Sequence, residues 1–189
     1  MQKMWFRGRG LIGGLVRDNG ASAAVEFAVI VPVMLTSLFG VIEFTSGIAV
    51  DRKVTLVART LSDLTSQSTC VTSTDLDGFK NTGKAIMTPY SATPLLSTVT
   101  ELKVDDNLDA KVQWSYGSAP KGANTTVNIP AGLKIAQSYL ILAEVEYLYK
   151  PMGGINYVMS SAGVNLKDFT YTRPRQSVSV TYKPSSSCT

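Results

Sequence analysis

Phe27-Ala-Val-Ile-Val-Pro-Val-Met-Leu-Thr-Ser-Leu-Phe-Gly-Val-Ile42 contains no charged residue, and past Glu43 the apolar character resumes through Phe44-Thr-Ser-Gly-Ile-Ala-Val50. The two runs cover about 24 residues, which at ~1.5 Å rise per residue makes enough helix to cross a ~30 Å hydrocarbon core. A cleaved secretory signal is a weaker reading, because the run is too long for an h-region and no convincing Ala-x-Ala site follows it. A buried core helix is the other alternative, and the basic head stands against it. Lys3, Arg7, Arg9 and Arg17 precede the run with only Asp18 opposing them, about +3 in all. Positive flanks stay on the cytoplasmic side. Asp51, Arg52 and Lys53 carry a smaller net charge, so the expected orientation is N-terminus inside, with everything after about residue 51 outside.

Three residues interrupt this pattern. Pro32 would cost about 3 kcal/mol in a soluble helix, whereas in a membrane the neighbouring helices and local adjustments absorb the kink. Glu26 stands where the apolar run begins, and a first-turn carboxylate is favoured by the helix dipole. Glu43 has two readings. Inside the span it would face a partner or a cavity, and on a tilted helix it would lie near the outer interface.

Composition narrows the chemistry. The chain has 189 residues, room for one domain plus an anchor, with 17% charged residues and a net charge of +4. It has no histidine, which removes the usual general base and the commonest metal ligand. Cys70 and Cys188 form no CxxC motif and cannot fill a four-ligand zinc site. No basic stripe with interleaved aromatics marks a nucleic-acid surface. Paired acids at Asp75/Asp77, Asp105/Asp106/Asp109 and Glu144/Glu146 read as solvated charges. The Asp105–Asp109 stretch lacks EF-hand spacing, and Asn124-Thr-Thr126 matters only in a eukaryotic secretory route. The expectation is a non-enzyme without cofactor or metal.

Beyond the apolar run, Val54, Val57, Leu61 and Leu64 recur at helical spacing, with Arg59 and Asp63 off the stripe. Thr74-Asp-Leu-Asp77 resembles a capping box opening a second helix, with Leu76, Phe79, Ile86 and Met87 as its buried face and its end before Pro89. Strands follow at Val99–Val104, Lys111–Tyr116, Ser138–Tyr149, Phe169–Arg173 and Ser177–Tyr182. Pro151-Met-Gly-Gly154 is among the turns, and Pro184–Ser187 is a loose tail unless Cys188 is tied down. Export makes a Cys70–Cys188 disulfide the expected state. Two separate thiols, or an intermolecular bridge through Cys188, are the alternatives.

The string Gly20-Ala-Ser-Ala-Ala-Val-Glu26-Phe27-Ala-Val-Ile-Val-Pro32, with Gly40-Val-Ile-Glu43-Phe44, resembles the N-terminal signature of the TadE/TadG-like minor pilins (pseudopilins) of bacterial tight-adherence pili. The resemblance covers about the first third of the chain. It implies that a prepilin peptidase removes the basic leader near Gly20, Ala21 and Ser22. It also implies that Glu26 pairs with the free N-terminal amine of a neighbouring subunit, since buried opposite charges are tolerable when paired. The spacing departs from the pattern. Cleavage after Gly20 makes Glu26 the sixth mature residue, and cleavage after Ala21 makes it the fifth but puts alanine before the cut.

The resulting expectation is an α+β protein: a cytoplasmic leader (1–20), a transmembrane helix (21–50), its continuation as a stem (51–68), and an exported domain with an antiparallel sheet (69–189). It sits in the bacterial inner membrane, with other pilins, assembly-platform proteins and the prepilin peptidase as partners and no nucleic acid. Glu26, Phe27, Pro32 and Glu43 serve helix packing and assembly. The rival reading is an anchored adhesin using a Tyr139, Tyr147, Tyr149 face, and an anchored hydrolase is a third.

Overall fold

The computed structural model describes residues 19–151, 163–185 and 187–188, with side chains from residue 23 onward. The basic leader before residue 19 and most of the Pro151–Gly154 turn lie outside the described residues. The chain divides into two compact units between Thr45 and Ser46.

Helix α1 runs over Asn19–Ser66, 48 residues with Pro32 inside it. Proline has no N–H to donate to the carbonyl four residues back, yet the helix continues. One turn on, the Thr36 hydroxyl donates to the carbonyls of Pro32 and Val33, both at 2.9 Å. The helix ends in the polar run Ser66-Gln-Ser-Thr69, where Asp63 accepts from the Gln67 backbone and side chain.

In the second unit the elements follow in the order β1 (Cys70–Thr72), α2 (Ser73–Ile86), β2 (Leu95–Val104), β3 (Ala110–Gly117), β4 (Thr126–Val127), a 3-10 turn (Ala131–Leu133), β5 (Tyr139–Tyr149), β6 (Val164–Thr172) and β7 (Thr181–Lys183). An antiparallel sheet orders its strands β4-β3-β2-β5-β6, and β1 pairs with β7 in parallel. This is the expected α+β architecture with a long apolar N-terminal helix.

Strand β5, interior between β2 and β6, explains how the sheet is covered on both sides. Ile141, Ala143, Val145, Tyr147 and Tyr149 alternate onto one face. There they join Val50, Val54, Val57 and Leu61 of α1 and Leu76 and Met87 of α2 in the larger core cluster. Leu140 and Leu142 take the other face with Leu102, Val104, Val112 and Ile129 in a smaller one. The stripe read from the sequence is therefore the buried face of α1, except that Leu64 is half-buried. Phe79 and Ile86 pack at the edge of the larger cluster, as the α2 pattern implies.

Two local readings are corrected. The capping box of α2 is Thr72/Asp75, two residues before the expected Thr74/Asp77: the Thr72 side chain accepts from the Asp75 N–H, and the Asp75 carboxylate accepts from the Thr72 N–H. The reason is β1, a three-residue strand too short for alternation to reveal, which fixes where the chain turns into helix. Those contacts also hold the Asp75 carboxyl below its ordinary range, the Thr72 hydroxyl contributing most. Thr72→Ala is expected to destabilise the second unit by about 1 kcal/mol, read as a lower urea midpoint at unchanged slope; an unchanged midpoint would mean the cap contributes nothing. At its other end, α2 has the Lys53 ammonium donating to the carbonyls of Ile86 and Thr88, each at 2.8 Å. That satisfies backbone acceptors a helix end leaves over.

The second correction is at the C-terminus. Ser177–Tyr182 was expected as one strand, but only Thr181–Lys183 pairs as strand. Val180 gives its backbone groups to side chains instead. Its carbonyl accepts from Trp114 Nε1 at 2.8 Å and its N–H donates to Glu101 Oε1 at 2.6 Å. Gly117, where β3 ends beside β2, holds φ +148°, and a Cβ there would collide with the Ser97 carbonyl.

Candidate functional site

The sequence points to α1, and its exposure changes sharply along its length. From Val50 onward one side of the helix is fully buried. Before it the large apolar side chains stand open, with Phe27 at 70% and Phe44 at 72% exposure. Single exposed apolar residues are ordinary on a soluble protein, but a continuous apolar helical surface is not. It belongs in lipid or against other helices. Among the described residues α1 is the one helix long and apolar enough to cross a membrane.

Within it, Glu26 is exposed and Glu43 half-exposed. They lie 17 positions apart, hence about 25 Å along the axis and roughly 100° around it. The helix does not bring them together; they bracket the uncharged run 27–42, one carboxylate at each end. Pro32 and Phe27 both face outward within that run. Gly20, Ala21 and Ser22 fall in the first turn of α1. Its interior can pack laterally against apolar helices, and its two carboxylates can take cationic partners.

The other candidates read from the sequence resolve differently. Cys70 and Cys188 are joined by a disulfide, with Cα atoms 5.8 Å apart. The tyrosine face proposed for an adhesin is mostly core: Tyr147 is 4% and Tyr149 8% exposed, and the Tyr147 hydroxyl donates to the Ser91 carbonyl at 2.9 Å. Tyr139 is half-buried, with the Lys103 ammonium 5.8 Å from its ring centroid. Glu144 and Glu146 share the outer face of the sheet, in a shallow groove of about 250 Å³. Each is paired with a lysine, Glu144 with Lys121 and Glu146 with Lys167 at 3.2 Å. Asp105 accepts from the backbone of Asn107 and Asp109 and pairs with Lys111 at 2.9 Å. Those contacts, Lys111 first, hold its carboxyl low, which is the work of a turn-closing residue.

Sequence reasoning passed over Glu101. It sits on β2, 3% exposed, on the helix-facing side of the sheet opposite Trp114 and Ile141. Burial pushes its carboxyl up to about 7, against the opposing Val180 N–H and Trp114 indole bonds. The one available signal is a glutamate at an alternation position that Val99 otherwise marks as apolar.

Taken together, the described residues define a protein with a single membrane-length apolar helix leading into a compact α+β unit. Residues 21–61 match the family model of TadE-like proteins, a match lying wholly within α1. No curated protein and no solved structure matches the chain. The chain thus carries a TadE-like segment within α1.

Proposed function

We propose that this chain is a minor pilin or pilus assembly component of a tight-adherence pilus, and that its work is structural: lateral packing of α1 with other helices in the membrane and in the pilus. The observation that carries the reading is the coincidence of the TadE-like segment with the outward-facing apolar stretch of α1. In this reading residues 21–50 span the inner membrane with the N-terminus in the cytoplasm, 51–68 continue the helix, and 69–189 form the exported domain. A prepilin peptidase cuts the leader near Gly20, Ala21 and Ser22. Phe27 and Pro32 shape the packing surface. Glu26 meets the new amine of a neighbouring subunit, and Glu43 meets a second polar partner, because a carboxylate in an apolar helix array is tolerable only with one.

Glu26→Gln tests this in the native host. The side chain keeps its size and loses its charge. The expected result is normal membrane insertion with pilus number on the cell surface strongly reduced. Full piliation by a Glu26→Gln, Glu43→Gln double variant would refute assembly through these carboxylates.

A further inference from the structure

Two exposed features of the second unit are opposite in charge and lie at different levels of it. The first is on the part of α1 that belongs to this unit. Arg52, Leu56 and Arg59 are exposed at spacings of four and three, hence on one helical face, with Leu56 at 51%. Among the described residues neither arginine has an ion-pair partner. Asp63, further along the same face, is taken by Arg175 at 2.8 Å. Asp51 lies about 100° around the helix from Arg52.

The second feature is the hairpin between β2 and β3. The Leu108 N–H donates to the Asp105 carbonyl at 3.0 Å and the Asp105 N–H to the Asp109 carbonyl at 2.9 Å, closing the three-residue loop Asp106-Asn107-Leu108. Leu108 holds φ +65°, the left-handed place that such loops give to glycine. A leucine there works against folding, and its side chain is 42% exposed. A residue held in strain with its side chain outward points to work outside the fold. Asp106 and Asp109 are exposed on either side of it. The cations beside the loop are Lys111, paired with Asp105 at 2.9 Å, and Lys103, over the Tyr139 ring.

The two features cannot meet within one copy. α1 runs beside β5 from Gly47, where a Cβ would sit 3.8 Å from the Tyr149 ring, to Ser62, whose hydroxyl donates to the Ile141 carbonyl at 3.4 Å. The hairpin lies past the start of that strand, where the Val104 N–H donates to the Ser138 carbonyl at 2.9 Å. The offset between arginines and hairpin is therefore about 20 Å along the strands. We propose that the hairpin of one copy docks on the arginine face of a second copy displaced along α1. Leu108 meets Leu56, and Asp106 and Asp109 meet Arg52 and Arg59. A second copy is the occupant indicated because the two surfaces of this one chain are complementary in charge, each around an exposed leucine. A contact between two different patches does not close on itself and repeats as an open row. It uses the second unit alone and stands apart from the pairing of Glu26 proposed above.

The experiment is sedimentation velocity of the full chain, disulfide intact, in nonionic detergent micelles at low ionic strength. The wild-type chain is expected to form species that grow with concentration and dissolve near about 1 M salt, where the screening length is about 3 Å. Arg52→Glu with Arg59→Glu makes both surfaces acidic, and Asp106→Lys with Asp109→Lys makes both basic. Each double variant should sediment as single copies. Mixed in equal amounts they should recover the wild-type species, because each offers the other its complement. Wild-type protein that stays single at every concentration, double variants that associate as wild type does, or an equal mixture that stays single overturns the proposal. Leu108→Gly removes the strain and the leucine together. It should raise the urea midpoint of the unit and weaken the association; an undiminished association overturns the docking through Leu108. If a double variant loses its near-ultraviolet circular dichroism, the single changes Arg59→Glu and Asp109→Lys take its place in the same mixing test.

Discussion

Replacing Cys70 and Cys188 together by serine is expected to lower the stability of the second unit by about 5 kcal/mol in the chain-entropy view, the largest loss two surface substitutions in this protein should give. The bridge spans a sequence separation of 118 residues and so restrains almost the whole unit when it is unfolded. Since domains are typically stable by only about 5–15 kcal/mol, a loss of this size decides whether the unit is folded at host temperature. The native arrangement should survive where folding persists, because the C-terminal strap has other attachments. β7 pairs with β1, and Val180 is held by Glu101 and Trp114. The Tyr182 ring packs 5.3 Å from Trp114, and the Ser73 hydroxyl bonds the Tyr182 hydroxyl and the Pro184 carbonyl. Near-ultraviolet circular dichroism of the Trp114–Tyr182 cluster, followed through urea unfolding in detergent, reads the outcome. An unchanged midpoint in the double serine variant would mean that the unfolded chain is already restrained by something other than the bridge.

How much of this was legible beforehand depends on the length scale of each signal. The membrane-length helix rests on more than twenty residues with one repeated property, and the stripe Val54, Val57, Leu61 carries it onward, so both survive local noise. The same holds for β5, whose alternation runs through eleven residues. What failed was short or non-repeating. β1 is three residues and β7 three, and their parallel pairing joins segments over a hundred positions apart, which no local pattern encodes. The capping box slipped by two positions because Thr72-Ser-Thr74 and Asp75-Leu-Asp77 offer the same chemistry in two registers, and β1 chose between them. The rival adhesin reading needs the tyrosines of β5 as a displayed face, and sequence does not decide this because a phenol is equally at home at an interface and in a core. Only the three-dimensional placement of α1 and Ser91 shows that Tyr147 is enclosed. For the proposed assembly residues the limit is of another kind: in that proposal Glu26 and Glu43 act through other chains, and one chain shows only their exposure and spacing.

Glu101 gives the second large effect, and it is one of pH. Its folded-state carboxyl stands at about 7 against an ordinary 4.5, chiefly because β2 buries it under α1 and the C-terminal strap. A raised acid binds its proton more tightly when folded. Its contribution is therefore fully present below 4.5, declines as pH rises, and is gone once pH passes about 7. The difference corresponds to as much as about 3 kcal/mol across that window. The wild-type chain should accordingly lose stability between pH 4.5 and pH 8. Asp75, Asp105 and Glu146 run the other way: Thr72 holds the first carboxyl low, Lys111 and the turn backbone the second, Asn165 and Lys167 the third, so their contributions are present above the ordinary carboxylate range and fade as pH falls. Those losses lie below about pH 4.5 and do not overlap the Glu101 window. Glu101→Gln separates them. The amide oxygen can still accept from the Val180 N–H, and no charge can form. Its urea midpoint should be flat between pH 5 and pH 8, lie close to wild type at the acid end, and exceed wild type at pH 8. Parallel profiles for the two proteins would show that the carboxylate is solvated as it ionises, and that the strap yields at Val180 to admit water.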